Sequence, residues 1–436
     1  MARRNTELGL ILLASAGTVL LYILANVSST QEIPKNIIPF LGIVIGLLGA
    51  GHLALRRLAP EADPTLLPIA GLLNGIGYVM IARLDEQLAA QQALWCVIGM
   101  AAFIGTLAVV RATRDLERYR YTFALLGIGL LLLPLVPGIG VQINGARIWV
   151  RAGPISFQPA EFAKIALAIF FASYLVDRRE ILRLGSFRVG PFSLPDPKHL
   201  GPLLLAVGAS LVVMITEKDL GTSLLFFTLF LVLIWVATER ASYLVVGIGL
   251  FSAGAYLAWR AFSHVQLRVD MWIDPFQDVN DRGFQPAQAA FAMAEGGLTG
   301  TGLGRGGQIR IPFSESDFIF AVIAEELGLI GATLVIVAFL LVVGCGLRIA
   351  LRAERPFEKL LAVGLTTLIG FQAFIIIGGV TRVLPLTGVT LPFVSYGGSS
   401  LVANYVLLAL LLRISDDNVR RSAAQAVKVD AGVPVQ

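Results

Sequence analysis

Apolar runs long enough to cross a lipid bilayer recur along the whole chain. A bilayer core of roughly 30 Å needs about 17 to 25 residues of helix, and only helices or closed barrels satisfy their backbone hydrogen bonds there. With 56% hydrophobic residues, 14% charged residues and a mean hydropathy of +0.79, the sequence is too apolar for a soluble protein. It predicts an all-α polytopic membrane protein.

About twelve such spans are predicted. The first follows Arg3 and Arg4 and lacks a small-residue cleavage site, so we interpret it as a retained anchor and not a signal peptide. The spans begin near Glu7, Asn36, Leu66, Gln91, Tyr121, Glu161, Leu200, Leu220, Ser242, Phe318, Phe357 and Tyr396.

Basic residues are concentrated in alternate loops, which by the positive-inside rule are cytoplasmic. This pattern places both termini in the cytoplasm and the loops 140–160, 263–317 and 380–395 outside. The net charge of +5 follows from that bias, and no basic patch interleaved with aromatic residues predicts a nucleic-acid partner. The three histidines are scattered, so the sequence assigns no metal ligands.

The outer loop before the sixth span carries two arginines on the side that the positive-inside rule disfavours, which favours an anionic partner. A glutamate and a lysine follow three residues apart, on one face of a helix. The group either lines a substrate cavity or forms an interfacial belt with a local ion pair. The candidate binding residues are Arg147, Trp149, Arg151, Gln158, Glu161 and Lys164.

Three consecutive charges, at 217–219, lie in a very short turn between two apolar runs. Such a turn is expected at membrane depth, in a cavity lined by water or protein. Asp219 is placed to cap the next helix, whose N-terminus would then be available to an anion. Asp219 and Thr222 are therefore candidate binding residues, and a plain capped hairpin is the other interpretation.

The long outer loop 263–317 contains three features suited to a phosphate-bearing substrate. Gln285 and Gln288 introduce a short apolar segment, 289–294, of the right size for a helix lying in the membrane interface. Seven glycines from 296 to 307 predict a flexible strip. Arg305 and Arg310 accompany the strip, and backbone amides with guanidinium groups suit phosphate oxygens.

The loop ends on Asp317, a carboxylate at the lip of a hydrophobic helix, where a charge is costly unless it has a function. A helix cap is the alternative interpretation. Glu325 and Glu326 lie roughly 12 to 13 Å further along the helix, so neither forms with Asp317 the close carboxylate pair of a glycosidase. Asp317 is thus an isolated candidate base.

Residues 384–400 read LPLTGVTLPFVSYGGSS. The two prolines at 385 and 392 interrupt any helix, so the segment, which includes Ser395, is predicted to be irregular and to line a cavity.

At this motif the chain resembles the SEDS family of shape, elongation, division and sporulation proteins. The likeness also covers NGARIWVRAGPISFQPAEFAK, DLGTS, DPFQD, GFQPAQAAFAMAEGGLTGTGLG and SDFIFAVIAEELG, in family order from about residue 85 to 415. Two departures precede the proline motif, because Ile376 and Arg382 stand where the family often has Asn and Gly. A third is Glu217-Lys218 in place of the usual Gln-Pro.

The resemblance implies a core of ten helices at 65–415, two additional helices in an N-terminal transmembrane hairpin at 1–64, and a cytoplasmic tail at 416–436 that its composition predicts to be disordered. It also implies a bacterial peptidoglycan glycosyltransferase that polymerises lipid II at the outer face of the cytoplasmic membrane, in elongation or division. A class B penicillin-binding protein is the implied partner. Asp317 matches the family's essential aspartate.

The chemistry of that reaction agrees with the residues present. Joining a sugar hydroxyl to an anomeric carbon that carries a lipid pyrophosphate needs a base and cations, but no general acid. The hypothesis is that Asp317 is the base, that Arg147, Arg151, Arg305 or Arg310 hold the pyrophosphates, and that the anomeric centre inverts. No cofactor is identified, and a divalent cation could assist without an assigned ligand set. The alternatives are a lipid II flippase and a non-catalytic scaffold.

Overall fold

The computed structural model describes residues 2–30, 37–143, 146–153, 155–184, 187–189, 192–194, 219–306 and 311–430, with isolated positions between 201 and 211. Its helices are α1 (Ala2–Thr30), α2 (Ile37–Leu58), α3 (Leu66–Leu84), α4 (Glu86–Val109), α5 (Thr113–Arg118), α6 (Arg120–Leu132), α7 (Ala160–Leu184), α8 (Leu220–Thr238), α9 (Ala241–Ala261), α10 (Ser263–Ile273), α11 (Phe284–Gly296), α12 (Ile319–Arg352), α13 (Pro356–Val380) and α14 (Gly398–Asp430).

Within these ranges, eight helices are long and apolar enough to cross a membrane: α1, α3, α4, α8, α9, α12, α13 and α14. Helices α2, α6 and α7 begin close to three further predicted starts. The predicted span from Leu200 falls largely outside the described residues. The helical membrane architecture is therefore confirmed, while the count of twelve spans stays a prediction.

A small antiparallel sheet departs from the all-α expectation. Strands β1 (Gly140–Ile143), β2 (Ala146–Ala152) and β3 (Ile155–Phe157) pair in sequence order, with Val141 opposite Trp149 and Arg151 opposite Ser156. In ARIWVRA one set of alternate positions holds Arg, Trp and Arg and the other holds only apolar residues, which is typical of a strand with one face on the protein. A second pair, β4 (Phe187–Val189) and β5 (Phe192–Leu194), lies between α7 and α8.

Helix ends are fixed by local sequence. Asp85 caps α4 by accepting hydrogen bonds from the amides of Gln87 and Leu88, and α13 begins with a proline, whose missing N–H is harmless there. Helix α12 is broken by Gly328, which has φ 64° and ψ −165°, a conformation that a side chain would strain.

The core forms where α14 packs along α4, α12 along α13, and α6 along α7. Glycines allow close approach: a Cβ on Gly77 of α3 would lie 2.2 Å from the Val394 carbonyl oxygen. One on Gly99 of α4 would lie 2.6 Å from the Tyr405 ring.

Helix α1 packs on α3 and carries charges into the bundle. Arg4 and Glu7 form a buried ion pair, and His52 Nδ1 of α2 lies 2.8 Å from Glu7 Oε1. The Arg4 guanidinium also donates to the Ala62 carbonyl in the connection to α3. This polar cluster therefore ties α1 to α2 and to the connection before α3, all within the N-terminal hairpin.

Polar side chains of α14 close one end of the bundle by bonding to the connections between other helices. We call these side chains and their partners the inner cluster. Arg413 donates to the carbonyls of Leu58 and Leu107, and Asp416 accepts from the amide of Glu61. Further along α14, Asp417 accepts from Thr113, and Arg421 pairs with Glu358, the other members of the cluster. These connections are the ones that the positive-inside rule assigns to the cytoplasm.

The predicted disordered tail is helical over its described part. Helix α14 continues to Asp430, and Asp416 is fully buried. Pairing of Asp416 with Arg413 and Arg420, three and four residues away on the same helix face, stabilises this extension. The disorder prediction is therefore wrong for 416–430, and 431–436 lie outside the described residues.

Candidate active site

Asp317 lies two residues before the first residue of α12 and does not cap it. The N-cap position is held by Phe318, and no side chain caps this helix end. The capping interpretation of Asp317 is therefore wrong. The carboxylate is half-buried and lies in the field of a cation, Arg268.

Arg268 of α10 is the cation that the structure brings to Asp317. Its Nη1 donates hydrogen bonds to the carbonyls of Leu386 (3.1 Å) and Thr387 (2.8 Å). A Cβ on Gly388 would lie 3.8 Å from Arg268 Nη2 and 3.9 Å from Asp317 Oδ2. The guanidinium and the carboxylate therefore converge over Gly388, at one end of the proline-containing segment.

Burial sets the electrostatics of this pair. It raises the pKa of Asp317 to about 6, while the positive charge of Arg268 opposes that rise and the negative charge of Glu315 adds to it. Burial also lowers the pKa of Arg268, and the charges of Asp219 and Asp317 oppose that change. A carboxylate with a pKa near neutrality is suited to act as a general base.

Ser395 and Tyr396 hold the backbone that carries Asp317. The Ser395 hydroxyl donates to the Ser316 carbonyl at 2.6 Å and accepts from the Leu391 amide at 2.9 Å. The Tyr396 amide donates to the Glu315 carbonyl at 2.8 Å. Ser395, predicted as a substrate-binding residue, is 4% exposed, and these bonds give it a positioning role.

Asp219 joins the site from the start of α8. It accepts from the Thr222 amide at 3.0 Å and from the Thr222 hydroxyl at 2.7 Å, so the predicted cap is confirmed. Burial raises the pKa of Asp219, whose charge acts on both Arg268 and Asp317. A Cβ on neighbouring Gly221 would lie 3.0 Å from Thr387 Cβ, so the start of α8 packs against the same segment as Arg268.

Glu161 and Lys164 form the predicted ion pair, with 2.5 Å between Lys164 Nζ and Glu161 Oε2. Lys164 Nζ also donates to Gln372 Oε1 at 2.7 Å, and Gln372 Nε2 donates to the Thr390 carbonyl at 2.8 Å. Lys164 and Glu161 are 1% and 4% exposed. The pair therefore supports the proline-containing segment from within the bundle.

The three outer-loop candidates on β2 share one face, because alternate strand residues point the same way. Arg147 donates to the Val136 carbonyl at 3.4 Å, close to its own sheet, and Arg151 is exposed. Trp149 is half-buried opposite Val141. Gln158 is tied to α14 by its backbone amide, which donates to Ser399 Oγ at 2.9 Å.

The glycine strip is bonded to the kink in α12. The amides of Thr301 and Gly302 donate to the carbonyls of Glu325 and Glu326, and the Gly304 amide donates to the Glu326 side chain. Arg83 of α3 pairs with Glu326 at 2.6 Å. These three amides are occupied by protein acceptors, so the strip is an ordered support and they do not serve as phosphate donors.

The remaining loop candidates are spread over α11 and the strip. Gln285 Nε2 donates to the Pro312 carbonyl at 3.3 Å, and Gln288 Oε1 is buried. Arg305 is exposed, and Arg310 lies outside the described residues. In the described part of the chain, no three acidic, histidine or cysteine side chains come together as metal ligands.

Sequence reasoning missed Arg268, although it lies within the predicted outer loop 263–317. Its signal was weak: an arginine in a short amphipathic helix, 49 positions before Asp317. Only the fold shows that segment 384–396 contacts both residues.

The sequence matches a known family. A model of the FtsW, RodA and SpoVE type, described as cell cycle protein, matches residues 66–420. The chain belongs to this family. The match begins at the first residue of α3, and it establishes a multi-pass membrane protein of the kind that the motifs indicate.

Curated relatives agree over most of the chain. The protein is 45% identical over 424 residues to the peptidoglycan glycosyltransferase RodA of Mycobacterium tuberculosis, covering 95% of this chain and 90% of that one. It is 34% identical over 370 residues to stage V sporulation protein E of Bacillus subtilis, covering 81% and 96%.

Solved structures share the fold. The rod shape determining protein RodA of Thermus thermophilus superposes with a TM-score of 0.59 at 26% identity, covering 82% of this chain and 97% of that one. A chain from a peptidoglycan synthase complex that coordinates polymerisation and crosslinking gives a TM-score of 0.68 at 25% identity, covering 82% and 98%.

Proposed function

We propose that this protein is a peptidoglycan glycosyltransferase that polymerises lipid II at the outer face of the cytoplasmic membrane, with Asp317 as the general base. The observation that carries the proposal is the convergence of Asp317 and Arg268 over Gly388. Membership of the family and the glycosyltransferase names of its relatives support the same activity.

The proposed step is a single displacement. The acceptor's 4-hydroxyl lies over Gly388 and gives its proton to the Asp317 carboxylate, while its oxygen forms a bond to the anomeric carbon of the donor. The bond from that carbon to the pyrophosphate oxygen breaks, and the lipid pyrophosphate leaves as an anion. In-line attack inverts the anomeric centre.

Cations would stabilise the departing charge. Arg268 is nearest to the base, with Nη2 toward Gly388. Its Nη1 is held by the carbonyls of Leu386 and Thr387, so the guanidinium needs little reorganisation as charge develops. Arg147, Arg151, Arg305 and Arg310 remain candidates for the pyrophosphates of donor and acceptor. The buried pair Glu161 and Lys164 and the buried Asp219 would support the site from beneath.

A class B penicillin-binding protein is the proposed partner, because a structural neighbour belongs to a complex that couples polymerisation to crosslinking. Both termini would lie in the cytoplasm. The inner cluster supports this orientation, since its loops are those enriched in arginine and lysine.

A flippase needs a path through both faces of the membrane. The buried ion pairs of the inner cluster, including Arg413 with Asp416 at 3.5 Å, close the end opposite Asp317. This closure supports a reaction at one face over transport across both.

The test is polymerisation of labelled lipid II by the purified full chain in detergent or liposomes. Wild type should lengthen glycan strands, Asp317→Ala should not, and Asp270→Ala, which removes an exposed carboxylate of α10, should behave as wild type. Strand synthesis by Asp317→Ala would remove Asp317 as the base. Relocation of lipid II across liposomes without lengthening would indicate a flippase, and unchanged activity of a partner complex carrying Asp317→Ala would indicate a scaffold.

A further inference from the structure

Arg382 and Trp272, in two of the predicted outer loops, each donate a side-chain hydrogen bond to the other's backbone carbonyl. The Trp272 indole donates to the Arg382 carbonyl at 2.9 Å. Arg382 Nη2 in return donates to the carbonyls of Trp272 (3.3 Å) and Ile273 (3.1 Å), and its guanidinium lies 5.5 Å from the centre of the Phe276 ring.

The two carbonyls that Arg382 binds belong to the last residues of α10. The final carbonyls of a helix have no partner within the helix, and a cation there also interacts favourably with the helix dipole. The Asp274 amide satisfies the Asp270 carbonyl, and Arg382 supplies, from another part of the chain, the donor for the carbonyls of Trp272 and Ile273.

Arg382 occupies a backbone conformation that disfavours its own residue type. Its φ is +61°, in the left-handed region where glycine is the usual residue. Such strain persists only where surrounding contacts hold it, and here these are the bonds to α10 and the Phe276 ring.

Arg268 lies four residues before Trp272, so both project from one face of α10. Arg268 donates from the helix to Leu386 and Thr387, while Arg382 donates from the same segment back to the helix. Two arginines pointing in opposite directions thus fix α10 against segment 382–388 at two points.

We propose that Arg382, paired with Trp272, is a positioning residue that sets the location of Arg268 relative to Asp317. The proposal rests on the glycosyltransferase function for its kinetic readout. Arg382 touches neither Asp317 nor the acceptor space over Gly388, and it acts through α10.

We call the reciprocal hydrogen bonds between Arg382 and the end of α10 at Trp272 the clamp. Two variants and a matched control test it. Arg382→Gly removes the guanidinium and relieves the backbone strain, whereas Arg382→Lys keeps the charge without the planar fork. Arg282→Gly removes an exposed arginine in the turn at 279–283 of the same outer loop.

Hydrogen exchange of the peptide 263–278 gives a readout independent of catalysis. We expect faster exchange in Arg382→Gly, an intermediate rate in Arg382→Lys and no change in Arg282→Gly. Unchanged exchange in Arg382→Gly would overturn the clamp. If wild type made no glycan, the proposed function would fail, while this measurement would still decide the clamp.

Kinetics test the coupling to Arg268. Because small displacements of a positioned group cost up to about 100-fold, we expect kcat to fall roughly tenfold or more in Arg382→Gly with KM within about twofold. In an Arg268→Lys background, Arg382→Gly should cost no further activity, since residues acting through one another are non-additive. Independent, multiplying losses in the double variant would contradict the positioning role.

Discussion

Arg268 and Asp317 approach each other over a residue without a side chain, so that the guanidinium and carboxylate each lie just under 4 Å from the point where a Gly388 Cβ would stand. Their parent elements, α10 and the turn before α12, are 44 residues apart at their nearest ends (273 to 317). The segment 384–396 joins them, since it accepts from Arg268 at its start and holds the Asp317 backbone at its end.

Removing the cation should slow the reaction more than it weakens substrate binding. We expect Arg268→Ala to lower kcat by about 100-fold, comparable to loss of one preorganised donor at a developing charge. Arg260→Ala, at an exposed position on α9, is the control. Lipid II polymerisation by both variants measures the effect, and full activity of Arg268→Ala would exclude Arg268 from the site.

The pH dependence of kcat/KM should show one acidic limb near pH 6. The base acts as a carboxylate and its pKa is raised to about 6, so the rate rises through that pH and levels off above it. Arg268→Gln should move the limb to higher pH, because it removes the charge that lowers the pKa. Glu315→Gln should move it to lower pH, and shifts in the same direction for both would refute this assignment.

Replacing the base should stabilise the fold at neutral pH. The native pKa of Asp317 lies above its ordinary value of 3.8, so the carboxylate costs stability above about pH 6, and that cost disappears below about pH 4. Asp317→Asn should raise Tm by about 2 °C at pH 7.5 and less at pH 4.5. A thermal melt in detergent measures this, and a lower Tm at pH 7.5 would show that Asp317 stabilises the fold.

Ser395→Ala separates positioning from substrate binding. Loss of the bond to the Ser316 carbonyl should let Asp317 shift, lowering kcat by roughly tenfold while KM changes little. A residue that contacted lipid II would instead raise KM. Ser252→Ala, at an exposed serine that bonds within α9, provides the control for the same assay.

Two glycines in neighbouring helices should respond oppositely to alanine. A methyl on Gly77 would collide with the Val394 backbone, so Gly77→Ala should cost about 1–3 kcal/mol and reduce activity through adjacent Ser395. Gly105 of α4 has open space around it, so Gly105→Ala should be neutral or stabilising by up to about 1 kcal/mol. Chemical denaturation compares them, and equal stability would show that α3 can move away from Val394.

Features encoded locally could be predicted from the sequence. Predicted starts at Leu66 and Leu220 coincide with the first residues of α3 and α8, because length and apolarity alone define a membrane helix. The Asp219 cap likewise depends on residues three apart. The sheet at 140–157 was missed because its short strands carry a weak pattern between two strong helical signals.

Features that depend on distant pairing could not be predicted. Arg268 binds segment 384–396 and Arg83 pairs with Glu326. In each case the residues around one partner carry no signal that identifies the other. The glycine strip was interpreted as flexible because glycine composition indicates freedom, whereas in the structure its amides bind the carbonyls next to the Gly328 kink.

The inner cluster has a consequence for genetics. Its charges are buried and mutually paired, so losing one partner leaves another uncompensated and unfolds that end of the bundle. Random loss-of-function alleles should therefore divide by membrane side. Alleles near Asp317 would accumulate as stable, inert protein able to compete with wild type and act dominantly, whereas alleles at Arg413, Asp416 or Glu358 would be degraded and behave as recessive.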